Sequence, residues 1–160
     1  PLPGELLSSL FTYECASLSG WLQLLAEGSQ PVLLLVPEGR VLADVQAWLG
    51  ENPLTLGEPV VRGSLRVQRL PFISQDAYER LLWCCDFNAV RGEDSFVRAL
   101  WAGRPLLWHI YQQADAAHLD KLQAFLDIYL DGLSASAAAA SASAEACHPA
   151  AVPATTLGGN

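Results

Sequence analysis

The sequence predicts an α/β fold, a Rossmann-like parallel sheet with helices on both faces. Strand-like and helix-like segments alternate along the chain, as in consecutive βαβ units with right-handed crossovers. The unbroken apolar run Val32-Leu33-Leu34-Leu35-Val36 suits a strand covered on both faces. Tyr78, Leu81, Leu82 and Cys85 recur at i, i+3, i+4 and i+7, the stripe of a helix that buries one side.

The elements follow in order. Leu10-Phe11-Thr12-Tyr13 reads as the first strand, and Leu18 to Ala26 as a helix stopped at Gly28. After the strand Val32–Val36, Arg40 to Leu49 is helical, with Val41, Val45, Trp48 and Leu49 on one side and Gly50 as its stop. Asn52 to Gly63, with prolines at 53 and 59, reads as loop. Leu65 to Leu70 alternates as a strand ending at Pro71, and Gln75 to Cys85 forms the next helix. The strand Phe87 to Val90 turns through Gly92 into a helix carrying Phe96, Val97, Leu100 and Trp101. Leu106 to Ile110 is the fifth strand. A long helix from about Ala116 to Leu130 follows, with the stripe Leu119, Leu122, Phe125, Leu126 and Tyr129 and Asp115 as its N-cap. Past Gly132 the composition shifts to Ala and Ser. We therefore expect one domain over 1–133 and a low-complexity tail over 134–160.

Bulk composition narrows the function classes. A chain of 160 residues, 51% hydrophobic and 16% charged, suits a globular domain with a real core. No apolar run has the length of a membrane span, so no membrane partner is expected. A formal charge of −8 argues against nucleic acid as partner, whereas a small anion answers to local donors and helix ends. Cys15, Cys84, Cys85 and Cys147 form no metal-ligand spacing, so no metal is expected; Cys84-Cys85 read as buried small hydrophobes. A reducing, cytoplasmic setting follows as the expectation. The start at Pro1 without methionine or signal-peptide layout leads us to expect a piece of a longer protein. No GxGxxG, GxxxxGK[ST] or GxSxG motif occurs.

Ligands of open parallel sheets bind beyond the carboxyl ends of the strands. Those ends carry Tyr13-Glu14, then Pro71-Phe72-Ile73-Ser74-Gln75, then Arg91-Gly92-Glu93-Asp94-Ser95, then Tyr111-Gln112-Gln113. Aromatic faces, amides and a helix start with an arginine are the components of a nucleotide pocket. Each component also has a plainer reading. Acids in a first helical turn complement the dipole, Phe11 and Phe72 can be core, and Tyr13 and Tyr111 can anchor loops. Gln75 can be a simple first-turn residue, and His109 within an apolar strand reads as a core histidine.

Leu70-Pro71-Phe72 with Gln75-Asp76, Tyr78 to Trp83, Asp86 to Asn88, Val90 to Ala99 and Trp101-Ala102-Gly103 resemble the carboxy-terminal half of the protein-arginine rhamnosyltransferases. Phe11-Thr12-Tyr13-Glu14, Leu35-Val36-Pro37-Glu38-Gly39 and Trp108-His109-Ile110-Tyr111 agree in order, and the likeness runs from about Leu10 to Leu130. The resemblance implies one half of a GT-B architecture, in which two Rossmann-like domains face each other across a cleft. It further implies a donor, dTDP-β-L-rhamnose, no cofactor or metal, inversion at the anomeric centre, and an arginine of translation elongation factor P as acceptor. By resemblance Phe11, Tyr13, Phe72, Gln75 and Tyr78 form the thymine and deoxyribose side. Arg91, Glu93, Asp94 and Ser95 hold the diphosphate and sugar, Tyr111 lies nearby, and Glu93 assists catalysis.

The family's main catalytic aspartate belongs to the amino-terminal domain, which this chain lacks, so the resemblance implies a donor-binding half inactive alone. Ala89 stands where phenylalanine is usual, Gln112 where proline is usual, and the Ala/Ser tail where closing helices are usual. Two other readings stay open: a noncatalytic α/β nucleotide-binding module, and a donor domain for another nucleotide sugar.

Overall fold

The computed structural model describes residues 1–111, 117–131 and 150–152. Its elements are β1 (Leu6–Leu10), α1 (Leu18–Glu27), β2 (Val32–Val36), α2 (Leu42–Leu49), β3 (Val60–Arg62) and β4 (Leu65–Arg69). They continue with α3 (Gln75–Cys84), β5 (Phe87–Arg91), α4 (Gly92–Ala102), β6 (Leu106–His109), α5 (Ala117–Leu130) and β7 (Ala150–Val152). The sheet order is β3-β4-β2-β1-β5-β6-β7. The five inner strands pair in parallel, and β3 and β7 close the edges antiparallel. From β1 the chain builds outward to β2 and β4, then returns to place β5 on the other side of β1. That reversal is the topological switch point, where a crevice opens beyond the strand ends.

The α/β expectation holds, with helices on both faces. Leu10, Leu34, Val36, Val67 and Ala89 pack with Leu22 of α1 and Val45 of α2. Val90, Leu106 and Trp108 pack with Leu82 of α3, Phe96 of α4 and Leu126 of α5. Neighbours Ala89 and Val90 join opposite clusters, as alternation along a strand requires. Phe96 stacks on Trp108 with centroids 4.0 Å apart, and Phe125 meets Phe96 edge-on at 4.8 Å, a geometry aromatic quadrupoles favour.

Three expectations need correction. The first strand is Leu6–Leu10, four residues earlier than the apolar pattern suggests. Ser8 and Ser9 interrupt the apolar signal yet are buried, and Ser9 Oγ donates to Asn88 Oδ1 at 2.6 Å while Asn88 Nδ2 donates to the Leu82 carbonyl at 3.0 Å. A buried polar pair with its partners made costs little, so serines are tolerated there. The stretch read as loop contains β3, a short exposed edge strand. Of the cysteine pair, Cys85 is buried and Cys84 exposed, because the helical turn sends consecutive side chains in different directions. Burial pushes the Cys85 thiol up to about 12, which keeps it an inert apolar group.

Within the tail, Ala150–Val152 pair with Leu106–Trp108 of β6. Asp115, Gln112, Gln113, Cys147 and His148 lie outside the described residues. No helix among the described residues is long and apolar enough to cross a membrane.

Candidate functional site

The carboxyl end of β5 runs into α4 with no loop between them. Arg91 keeps extended backbone at φ −130°, and Gly92 at φ +64° makes the turn. Only glycine adopts that left-handed conformation without strain. Trp108 Nε1 donates to the Gly92 carbonyl at 2.9 Å and pins the turn to β6. Arg91 occupies the cap position without a side-chain cap bond. The first N–H groups of α4 therefore open beyond the strand ends with the positive end of the helix dipole behind them.

β1 delivers the aromatic wall. Phe11 N donates to the Ala89 carbonyl at 2.8 Å, which carries the chain alongside β5 for one residue past the strand. The Arg91 guanidinium carbon then lies 4.6 Å from the Phe11 ring centroid and 4.9 Å from that of Tyr13. Two cation–π contacts hold the arginine over aromatic faces. No carboxylate among the described residues pairs with Arg91, so its full charge is available to an anion. Tyr111, 56% exposed, meets Tyr13 edge-on at 5.6 Å. Gly39 packs closely beside Phe11: a Cβ there would lie 3.1 Å from the ring, which would have to shift by a few tenths of an ångström.

The acidic members differ in setting. Asp94 Oδ2 accepts from Arg98 Nε at 3.0 Å and from Gln75 Nε2 at 2.8 Å. The Arg98 hydrogen bond, with help from Gln75, holds the Asp94 carboxyl below its ordinary range. Arg98 also reaches Glu79 Oε2 at 2.6 Å, which ties the middles of α3 and α4 together, as Gln75 and Asp94 tie their amino ends. Glu93, in the first turn of α4, is exposed. Ser95 is half-buried one residue after Asp94. Phe72 stands on the segment between β4 and α3 with 86% of its surface exposed, a ring placed to receive a planar partner. Tyr78 is buried with its ring 5.3 Å from Phe11.

Of the residues expected at the site, Phe11, Tyr13, Tyr78, Arg91 and Tyr111 meet around one corner, and Gln75 joins Asp94 beside it. Sequence reasoning missed Arg98, although its i+4 spacing from Asp94 is a readable ion-pair signal. It also read His109 as core, whereas the ring is half-buried and meets Tyr13 edge-on at 5.4 Å. Trp108 as the pin of Gly92 had no sequence signal. The Ala89 side chain belongs to the core cluster on the α1 and α2 side, whereas the Phe11 ring packs against the cluster on the other face.

A family model described as Elongation-Factor P (EF-P) rhamnosyltransferase EarP matches residues 1–151. A protein-arginine rhamnosyltransferase of Pseudomonas aeruginosa is 64% identical over 135 residues, covering 84% of this chain and 36% of that protein. The Pseudomonas putida protein of the same name is 62% identical over 133 residues, with 83% and 35% covered. One from Neisseria meningitidis is 36% identical over 119 residues, with 72% and 31% covered. This chain thus spans about a third of the length of the curated relatives it matches. A solved structure described as "Structural basis for EarP-mediated arginine glycosylation of translation elongation factor EF-P" superposes with a TM-score of 0.78 at 58% identity, covering 88% of this chain and 44% of that one.

Proposed function

Because the chain belongs to the Elongation-Factor P (EF-P) rhamnosyltransferase family, we propose that it is the donor-binding half of an inverting protein-arginine rhamnosyltransferase. In this reading it pairs with a second Rossmann-like domain in a GT-B arrangement. The carrying observation is Arg91, unpaired by any described carboxylate and held over Phe11 and Tyr13 at the uncapped start of α4. A dTDP-sugar presents the complementary chemistry. Its diphosphate takes the Arg91 fork and the α4 N–H groups, and its thymine takes the exposed Phe72 ring and the aromatic wall.

In the displacement, a nitrogen of the acceptor arginine of elongation factor P attacks the anomeric carbon from the face opposite the diphosphate. The bond from that carbon to the diphosphate oxygen breaks, and its electron pair leaves with dTDP. Negative charge grows on the departing oxygen, where Arg91 and the helix end already stand, so no reorganisation is needed to stabilise it. Ser95 orients the phosphates, Asp94, fixed by Gln75 and Arg98, accepts from sugar hydroxyls, and exposed Glu93 positions donor or acceptor on the open side. The base that receives the acceptor proton belongs to the partner domain.

Calorimetry is the direct test: we expect dTDP and dTDP-rhamnose to bind this chain, and UDP to bind more weakly. A folded chain indifferent to dTDP supports the noncatalytic module, and equal affinity for UDP supports another nucleotide sugar. For these 160 residues assayed on their own, we also expect no transfer to elongation factor P. Mass spectrometry showing an added deoxyhexose on the acceptor would overturn that expectation.

A further inference from the structure

Among the described residues, the buried side-chain polar atoms without a hydrogen-bond partner are Arg69 Nε and Tyr78 Oη. Arg69 is still engaged through Nη2, which lies 2.8 Å from Glu38 Oε2. Tyr78 has no second polar atom, and the residue is only 8% exposed. A folded chain rarely leaves a buried hydroxyl unmet, because water satisfied it in the unfolded state. Such an orphan calls for a partner that arrives later.

Its surroundings say what that partner is. The Tyr78 ring packs at 5.3 Å against Phe11, the ring that also carries the Arg91 guanidinium at 4.6 Å. The polar groups that act on the hydroxyl are Ser95, Arg91 and Asp94 at the β5–α4 junction, and Cys85 just past α3. Ser95 approaches as a hydrogen-bond partner and favours the phenolate, yet the contact falls short of hydrogen-bond geometry. Burial outweighs this and pushes the phenol well above its ordinary range, so the group stays protonated and can act as a donor. Asp94 Oδ2 already accepts from both Arg98 and Gln75 and makes no hydrogen bond with the Tyr78 hydroxyl. What remains is a hydrogen-bond donor, beside an uncommitted cation and a helix amino end, that lacks an acceptor.

We propose that the Tyr78 hydroxyl donates a hydrogen bond to a phosphate oxygen of a nucleoside diphosphate seated on the amino end of α4. This rests on the donor-site reading above, and it moves Tyr78 from the base side of the pocket to the diphosphate side. A phosphate oxygen only accepts, so a phenol that cannot ionise at neutral pH is matched to it. Phe11 contacts both residues, with the Arg91 guanidinium over its face and the Tyr78 ring tilted against it.

Tyr78→Phe in the full chain deletes one oxygen and keeps the ring. The melting temperature is expected to rise by about 2–4 °C as an unmet buried hydroxyl disappears. The dTDP dissociation constant is expected to weaken about tenfold, while thymidine affinity, read by ligand-observed NMR, stays unchanged. A hydroxyl that served only the fold would lower the melting temperature when removed. Unchanged dTDP affinity, a lowered melting temperature, or a thymidine loss as large as the dTDP loss overturns the proposal and leaves the donor site standing. A wild-type chain that binds no dTDP removes the donor site, and this role with it.

Discussion

Arg91→Ala is expected to weaken dTDP binding by about 100-fold or more, the largest effect of any single side chain at the site. Truncating one partner of a desolvated, hydrogen-bonded charge pair costs about 2–5 kcal/mol, and Arg91 meets the ligand with its charge undiverted by a described carboxylate. Arg91→Lys is expected to recover only part of the loss. An ammonium keeps the charge but forfeits the planar fork and the stacking over Phe11 and Tyr13. The fold should tolerate both changes, because among the described residues Arg91 makes cation–π interactions and no ion pair. Each such interaction is worth about 1 kcal/mol, so melting temperatures within a few degrees of wild type are expected. Calorimetry at low and at physiological salt checks the assignment, since the wild-type advantage shrinks as salt screens the phosphate. Arg91→Ala binding dTDP as tightly as wild type would sink the donor-site reading. Retained affinity for thymidine alongside weakened affinity for dTDP would place Arg91 on the phosphates.

How much of this was legible in the sequence depended on whether the signal was local. The β5–α4 junction lies within one short segment, so Arg91, Gly92, Glu93, Asp94 and Ser95 read directly as a strand turning into a helix start. The parallel pairing of the inner strands follows from alternation, whereas their spatial order does not, and Val32–Val36 announced itself by being apolar throughout, as a strand buried on both faces is. β1 did not, because Ser8 and Ser9 occupy buried positions, and Ser9 is satisfied there by Asn88 on the neighbouring strand. β3 was hidden for the opposite reason: an exposed edge strand of three residues has no burial to impose a pattern. The pocket's corner was legible in composition and not in geometry. That Arg91 lies over Phe11, that Gln75 fixes Asp94 and that Trp108 pins Gly92 are facts about strand neighbours. Periodicity along one segment carries no information about which side chain faces it from the next.

The division between the two edges of the sheet bears on stability as well. The candidate site residues gather at the carboxyl ends of the parallel strands, where the aromatic wall meets the start of α4 and the Tyr78 hydroxyl lacks a partner. The opposite edge is closed by contacts within the chain. Glu5 and Arg66 pair there at 2.9 Å with the Glu5 side chain nearly inaccessible, and the β3–β4 hairpin tip docks on the end of α1. Substitutions at the amino edge are therefore expected to act on the fold and leave the affinity of the folded chain for dTDP unchanged.

Gly63→Ala is the sharpest case, with an expected loss of about 3–4 kcal/mol of folding free energy. Gly63 forms the hairpin turn between β3 and β4 at φ +59°, a left-handed conformation that the primed turns of tight hairpins require. Strain from a side chain at that φ costs about 1 kcal/mol. The rest comes from a steric clash: a Cβ on Gly63 would lie 2.1 Å from the Ala26 carbonyl oxygen and 3.0 Å from its carbon. Both are backbone atoms at the end of α1 and have no rotamer through which to yield. Relief requires lifting the hairpin off the helix, which breaks Ser64 N to the Ala26 carbonyl at 2.8 Å and Ser64 Oγ to the Gly28 carbonyl at 2.6 Å. Those carbonyls at the helix end then lack partners that the helix cannot supply. Gly50→Ala separates strain from clash, because Gly50 has φ +68° but nothing within 4 Å of its would-be Cβ. Gly50 combines that φ with ψ −126°, outside the left-handed helical region, so urea denaturation should place Gly50→Ala about 1–3 kcal/mol below wild type and Gly63→Ala below both. If the two variants lose the same stability, the docking of the hairpin on α1 contributes nothing, and turn conformation alone explains the glycine.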